Sequence, residues 1–427
     1  MSASHTPWTV FAHRGYALYW SSRFLVTFAV QIISVAVGWH VYDLKRDPFD
    51  LGMVGLVQFL PALLLVLVTG QVADRFDRRR IMTVCVALEA LCGVGLLLLV
   101  GSGTREVWPI FVLLAGFGVA RAFFGPASQA LMPNLVPADR LADAVAYNSS
   151  AWQVASIVGP VMGGLLYGLS AATAYGTALA MMVAAILILL SIPKTPQDTG
   201  REPASWDTVV AGFRYVWTHR IVLGAISLDL FAVLLGGATA LLPAYARDVL
   251  DVGPWGLGLL RAGPGIGAVA VAAWLAWRPI HDRAGWWMFA GVALFGLATT
   301  VFGLSETVWL SVIALVVMGG ADMVSVYVRE TLIQLATPDA VRGRVNAVNM
   351  VFVGASNELG EFRAGLSAAW IGVVPAVVVG GVGAVAVAAL WAIRFPELRQ
   401  ARRLDRRLTD ADEPVGTGEE DRAVKVG

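Results

Sequence analysis

The chain has 427 residues, 57% of them hydrophobic and 14% charged, where a soluble domain carries about 25% charged residues. Forty-five glycines and fifteen tryptophans suit packed membrane helices with interfacial anchors. A net charge of +1 with no basic face speaks against nucleic acid, and the only lysines, Lys45, Lys194 and Lys425, follow no Gly-x-x-x-x-Gly loop, which excludes a P-loop ATPase.

With a span of about 20 apolar residues as the ruler, the sequence predicts an all-α integral membrane protein of twelve spans. They cover roughly residues 16–42, 51–73, 81–101, 108–131, 141–168, 173–193, 220–247, 255–277, 285–304, 307–332, 344–369 and 372–395. Residues 1–14 are polar and lack the apolar core of a signal peptide, so the first span is expected to stay in the mature protein. Pro48, Pro109, Pro133, Pro137, Pro254, Pro279 and Pro338 mark turns or helix starts. Residues 194–219 are polar enough to leave the membrane, and they divide a first half (1–193) from a second (220–395). The tail, 396–427, is rich in arginine and then acidic, which predicts a solvated helix giving way to disorder. Cys85 and Cys92 lie about 10 Å apart along one helix, too far to bridge.

With the N-terminus inside, 22 of the 31 Lys and Arg fall in inner loops and ends, 4 fall in outer loops, and the rest lie within spans. That bias predicts cytoplasmic termini and a location in the inner membrane. The halves also repeat. A shift of 201 residues places Gly118 on Gly319, Arg121 on Asp322, Pro137 on Pro338, Asn148 on Asn349, Gly159 on Gly360 and Gly164 on Gly365. Two six-helix halves related by a parallel repeat, with the site between them, is a transporter architecture.

Between spans 2 and 3 stands Gly70-Gln-Val-Ala-Asp74-Arg75-Phe-Asp77-Arg78-Arg79-Arg80. Charge of that density cannot lie in hydrocarbon, so it forms a tight hairpin at a membrane surface. The pattern Gly-x-x-x-Asp-Arg-x-x-Arg-Arg resembles the loop signature of the major facilitator superfamily, which has Gly where this chain has Asp77. A worn copy near 273–283 has Trp277 in place of the aspartate. Span 5 carries Gly159-Pro160-Val-Met-Gly163-Gly164, similar to the helix-5 signature of proton-driven exporters in that superfamily. The alternative reading is an ordinary kinked packing helix. Arg121-Ala-Phe-Phe-Gly-Pro-Ala on span 4 and Asn357-Glu-Leu-Gly-Glu-Phe on span 11 resemble the branch that contains the enterobactin exporter. The resemblance implies export of a small organic molecule, siderophore-like or drug-like, by alternating access with proton antiport. Import or facilitation on the same fold, and a non-transporting sensor, are the alternatives.

Charges within spans are the sharpest functional pointers, because each is costly unless paired or wetted. Arg23, Glu89, Arg121, Asp229, Asp322 and Glu358 lie deepest, whereas Arg261, Arg329, Glu330 and Arg363 sit toward span ends or beside opposite charges and read as snorkelling or local pairs. In the superfamily spans 1, 4, 7 and 10 line the cavity, which implies that Arg23, Arg121, Asp229 and Asp322 face it; static salt bridges explain them as well. Asp322, Glu358, Asp229 and Glu89 are the candidate coupling carboxylates for protons or sodium. Arg23, Gln31, Arg121, Asn148 and Trp152 are the candidate substrate contacts, with polar packing between helices as the alternative. The resemblance also implies that Gly70, Asp74, Arg75 and Arg78 form a conformational latch, Asp74 meeting the start of span 11 when the halves close on that side. Enforcing topology is the plainer role for the arginines. The histidines show no metal spacing and no nucleophile cluster is visible. The chain is therefore expected to be a monomeric transporter and not an enzyme, without cofactor or metal, whose partners are a small-molecule substrate, a coupling ion and the bilayer.

Overall fold

The computed structural model describes residues 7–193 and 206–400, and every regular element among them is helical. The first half comprises α1 (Arg14–Lys45), α2 (Pro48–Arg75), α3 (Arg78–Ser102), α4 (Trp108–Leu131), α5 (Leu141–Leu169) and α6 (Ala171–Leu190). A short α7 (Trp206–Thr218) follows. The second half comprises α8 (Arg220–Gly236) with the stub α9 (Leu242–Ala244), then α10 (Pro254–Trp277), α11 (Ala284–Leu304), α12 (Val308–Ala336), α13 (Asp339–Ile371) and α14 (Val373–Arg394), closed by α15 (Pro396–Gln400). Eleven of these segments are long and apolar enough to cross a membrane. The twelfth, α13, has the length at 33 residues but carries Glu358, Glu361 and Arg363 in its second half.

Helix ends follow the local chemistry. Pro48 opens α2 at a position where its missing N–H costs nothing, and the Asp47 side chain accepts from the Phe49 amide at 2.9 Å. Asp77, where the superfamily loop has Gly, is the N-cap of α3 and accepts from the amides of Arg79 at 3.0 Å and Arg80 at 3.3 Å. The departure from the pattern therefore supplies a cap instead of a flexible turn.

Span 7 differs from expectation. It is not one helix over 220–247: α8 stops at Gly236, and the chain continues through a 3₁₀ turn (Thr239–Leu241), α9 and a π-helical turn (Tyr245–Val249). The carbonyls freed by the break are satisfied by Arg363 of α13. Its Nε donates to Leu234 O at 2.9 Å and an Nη donates to Leu235 O. Gly237 and Gly360 meet backbone to backbone at the same place, which keeps side chains out of the break. The linker carries a short helix. Residues 206–218 form α7, packed on α13 through Gly212 against Arg344 O, with the Tyr215 hydroxyl donating to Ala336 O at 2.7 Å. Residues 194–205 and the arginine-rich tail from 401 onward lie outside the described residues.

Within the first half α1 packs on α5 and α6, α3 on α4 and α6, and α2 on α4; within the second, α10 packs on α12, α11 on α12 and α14, and α8 on α13 and α14. Two seams join the halves, α5 with α10 and α2 with α13. Under the repeat α5 corresponds to α13 and α2 to α10, so the seams are one pairing used twice.

Candidate functional site

Both seams rest on the same few residues. The helix starts read Pro48-Phe-Asp-Leu-Gly52 on α2 and Pro254-Trp-Gly-Leu-Gly258 on α10. Against the first lies Gly365 of α13; against the second lies Gly164 of α5. A Cβ on Gly365 would stand 2.7 Å from Pro48 O and from Gly52 Cα; one on Gly164 would stand 2.3 Å from Pro254 O and 3.1 Å from Gly258 Cα. No side chain fits, so the backbones touch directly. The superfamily-like glycines of α5 divide their work. Gly163 lies against Ile32 of α1 within the first half, while Gly164 lies against the second half. The Pro160 carbonyl lies against Gly258, a Cβ on which would meet it at 2.6 Å.

These contacts lie at the C-terminal ends of α5 and α13 and the N-terminal ends of α2 and α10, so they close the face away from the chain termini. Toward the terminal face the seam thins. Gly354 of α13 has Phe59 of α2 as its nearest neighbour, at 3.7 Å from where a Cβ would stand. Between the halves is a cavity of about 660 Å³. It is lined by Gln31 and Ser34 of α1, Gln58 of α2, Phe117 and Arg121 of α4, Trp152 and Gln153 of α5, Arg261 of α10, Asp322 of α12, and Glu358 and Glu361 of α13. Trp152 is 54% exposed into open space although it lies in a span.

The charges are arranged by half. Arg121 comes from the first half and is exposed. Asp322, Glu358, Glu361 and Arg261 come from the second. Glu358 and Glu361 converge on Gly55 of α2: a Cβ there would meet Glu358 Oε2 at 2.8 Å and Glu361 Oε2 at 3.0 Å. Two ionised carboxylates so placed repel, and one proton or one sodium ion between them relieves it. Glu361 also accepts from the Thr239 hydroxyl at 2.9 Å, beside the break in span 7. Arg261 donates to Ser34 Oγ of the opposite half at 2.6 Å.

Several expected positions lie elsewhere. Arg23 does not line the cavity; it donates to the Tyr19 hydroxyl at 3.0 Å and Ser128 Oγ at 2.9 Å, tying α1 to α4. Asn148 is also absent from the lining. Asp229 is buried, ion-paired to Arg329 of α12, which approaches Glu330 at 3.8 Å. Glu89 is 1% exposed on α3, with Oε2 unpartnered among the described residues. The pairing reading therefore fits Arg23 and Asp229 better than the cavity reading. Conversely, Arg261 and Glu361 belong to the lining, which depth along their own helices does not reveal.

In the loop between α2 and α3, Arg78 is buried and donates to Ala73 O at 3.3 Å and Ala130 O at 3.0 Å, and Arg79 donates to Ile192 O at 2.5 Å. Both thus cap helix C-terminal ends of the first half, where the macrodipole is negative. Gly70 has open space where a Cβ would stand, Asp74 is half-buried, and Arg75 is exposed. No ion pair joins Asp74 to the second half among the described residues.

Comparison with known proteins agrees with this architecture. Residues 5–415 match the model of the transmembrane secretion effector family. The enterobactin exporter EntS of Escherichia coli O1:K1 / APEC is 26% identical over 408 residues, covering 94% of this chain and 96% of that one. The EntS of Citrobacter koseri is 26% identical over 399 residues, covering 92% and 94%. Among solved structures, the nucleoside transporter NupG superposes with a TM-score of 0.69 at 15% identity, covering 90% of this chain and 99% of that one. A bacterial homologue of the iron transporter ferroportin in an inward-facing state gives 0.66 at 18% identity, covering 91% and 99%.

Proposed function

Because the chain belongs to the transmembrane secretion effector family, with the major facilitator fold, we propose that it is a secondary active exporter of a small organic molecule, siderophore-like or drug-like, working by alternating access. The observation that carries the reading is the cavity. It is charged, shared by both halves, open toward the terminal face and shut at the other by backbone contact. At about 660 Å³ it suits one small ligand. Its aromatic Phe117 and Trp152, amides Gln31, Gln58 and Gln153, and arginine Arg121 suit an aromatic molecule with polar or anionic substituents.

In this reading the terminal face is cytoplasmic, the structure is the inward-open state, and the protein sits in the inner membrane as a monomer. Substrate enters beside Trp152 and Arg121. Proton antiport is carried by Asp322 and Glu358, with Glu361 as the partner that makes Glu358 sensitive to its protonation state. Cavity closure brings Arg121 of one half toward the carboxylates of the other, and a proton held there is exchanged against substrate. On the cytoplasmic side Asp74 acts as the latch: when the halves close there it meets the start of α13, whose free amides favour a carboxylate. That contact exists in one state only, so it biases the equilibrium by its differential free energy.

The test is flux in reconstituted vesicles. With an imposed proton gradient, a catecholate siderophore or a lipophilic dye should move against its own gradient, and a protonophore should stop it. Movement of either compound insensitive to proton and sodium gradients would leave only a facilitator.

A further inference from the structure

At the face away from the termini, the end of α1 and the π-helical turn Tyr245–Val249 meet across the two halves. Asp43 of α1 is ion-paired to Arg247, and Arg46, just past α1, lies 3.8 Å from Asp248. Each half therefore contributes one acid and one base, crossed. The Tyr42 hydroxyl donates to Asp248, and the Arg247 guanidinium lies 5.6 Å from the centre of the Trp39 ring. Tyr42 is buried, Trp39 nearly so, and Asp43 and Arg46 are exposed at the rim.

Both partners are held in uncommon backbone. Arg46 has φ +52°, in the left-handed region, where its amide caps α1 by donating to Tyr42 O at 2.9 Å. Across the gap the helix has widened to a π turn, and the Val252 amide reaches back to Ala246 O at 2.7 Å. A non-glycine residue at positive φ and a π turn each persist only where surroundings hold them. Here the surroundings held in common are the contacts between the halves.

We propose that Tyr42, Asp43 and Arg46 with Arg247 and Asp248 form a second gate, an ionic lock that holds the far face shut while the cavity is open to the terminal face. Every contact in it joins one half to the other, so all must part when the far face opens. The lock favours the closed far face by its full differential free energy. Its pairs are partly wetted, and each shifts the equilibrium by roughly two- to fivefold, rising where Tyr42 and Trp39 exclude water. Together with the glycine seams it sets the resting state, opposite in sense to the Asp74 latch. It depends neither on the substrate nor on the coupling ion, so it stands or falls apart from the transport reading.

The experiment is a distance measurement on the whole protein in lipid nanodiscs, without substrate or gradient. Cys85 and Cys92 are changed to Ala, and spin labels are placed at Ser102→Cys and Glu306→Cys, exposed positions at the far face in opposite halves. The parent should show one dominant short distance. Asp43→Asn or Arg247→Asp should raise a longer-distance population at least twofold, and the swap Asp43→Arg with Arg247→Asp should return it toward the parent. Tyr42→Phe, which loses only the hydroxyl, should move it the same way by less and carries the test if an Arg247 variant does not fold. Unchanged distances in folded single variants, or a swap no closer to the parent than its single components, would overturn the lock.

Discussion

Adding one methyl group at Gly164 tests whether the α5/α10 contact is a moving joint. In the structure that Cβ would stand 2.3 Å from Pro254 O. Relief requires the two helices to part by about 1 Å, and overpacking of this kind costs about 1–3 kcal/mol. Because the contact lies between the halves, the cost falls only on the state in which the far face is shut. The ratio of shut to open should therefore drop by about 5- to 150-fold. Gly118 supplies the matched control. Its Cβ would meet Gln58 O at 2.2 Å, a clash of the same size, but between α4 and α2 within one half. Gly118→Ala should lower the melting temperature and leave the populations alone, whereas Gly164→Ala should redistribute them. Labelling of an engineered cavity cysteine from each side of oriented vesicles reports the populations. If the two variants shift labelling equally, the seam is ordinary packing and the reasoning fails.

Three further outcomes follow from the structure. Asp322→Asn and Glu358→Gln should each cut uphill flux tenfold or more while retaining exchange of substrate down its gradient; two single variants with full gradient-driven flux would remove these carboxylates from coupling. Asp74→Asn should slow flux severalfold and increase labelling of the cavity from the terminal face, with membrane insertion unchanged, because the bias of about 0.3–1 kcal/mol at a helix start is withdrawn. Arg363→Met should destabilise the protein by about 1.5–3 kcal/mol, the worth of charged hydrogen bonds to the orphaned carbonyls of Leu234 and Leu235. Thermal unfolding in detergent measures it, and an unchanged midpoint would show that water satisfies the break.

Apolar runs made the spans legible, because hydrocarbon demands about 20 apolar residues with every backbone group paired inside the helix. The break in span 7 was hidden for the same reason. Gly236 and Gly237 sit in an apolar run, and the Arg363 side chain that completes the break comes from another helix. Depth along a helix is legible from sequence, but it does not say what covers a residue. Arg261 is only in the second turn of α10, yet α1 of the other half covers it through Ser34. Glu89 is as deep as Arg121 but is buried and does not line the cavity. The repeated Pro-aromatic-x-Leu-Gly of the two seams was visible in principle. It recurs at 206 residues, between Pro48 and Pro254, instead of the 201 that aligns α4–α5 with α12–α13, so no single shift aligns both.

The attachment of α7 to α13 settles what kind of strap joins the halves. Clamped by Gly212 on α13, by the Tyr215 hydroxyl on the last residue of α12 and by the tilted contact of Phe213 with Phe352, ring centres 5.6 Å apart, α7 packs as part of the second half. Across the halves, backbone presses on backbone at two places, Gly164 and Gly365. Opening of the far face has to unseat both contacts, and α7 would travel with the second half as they parted.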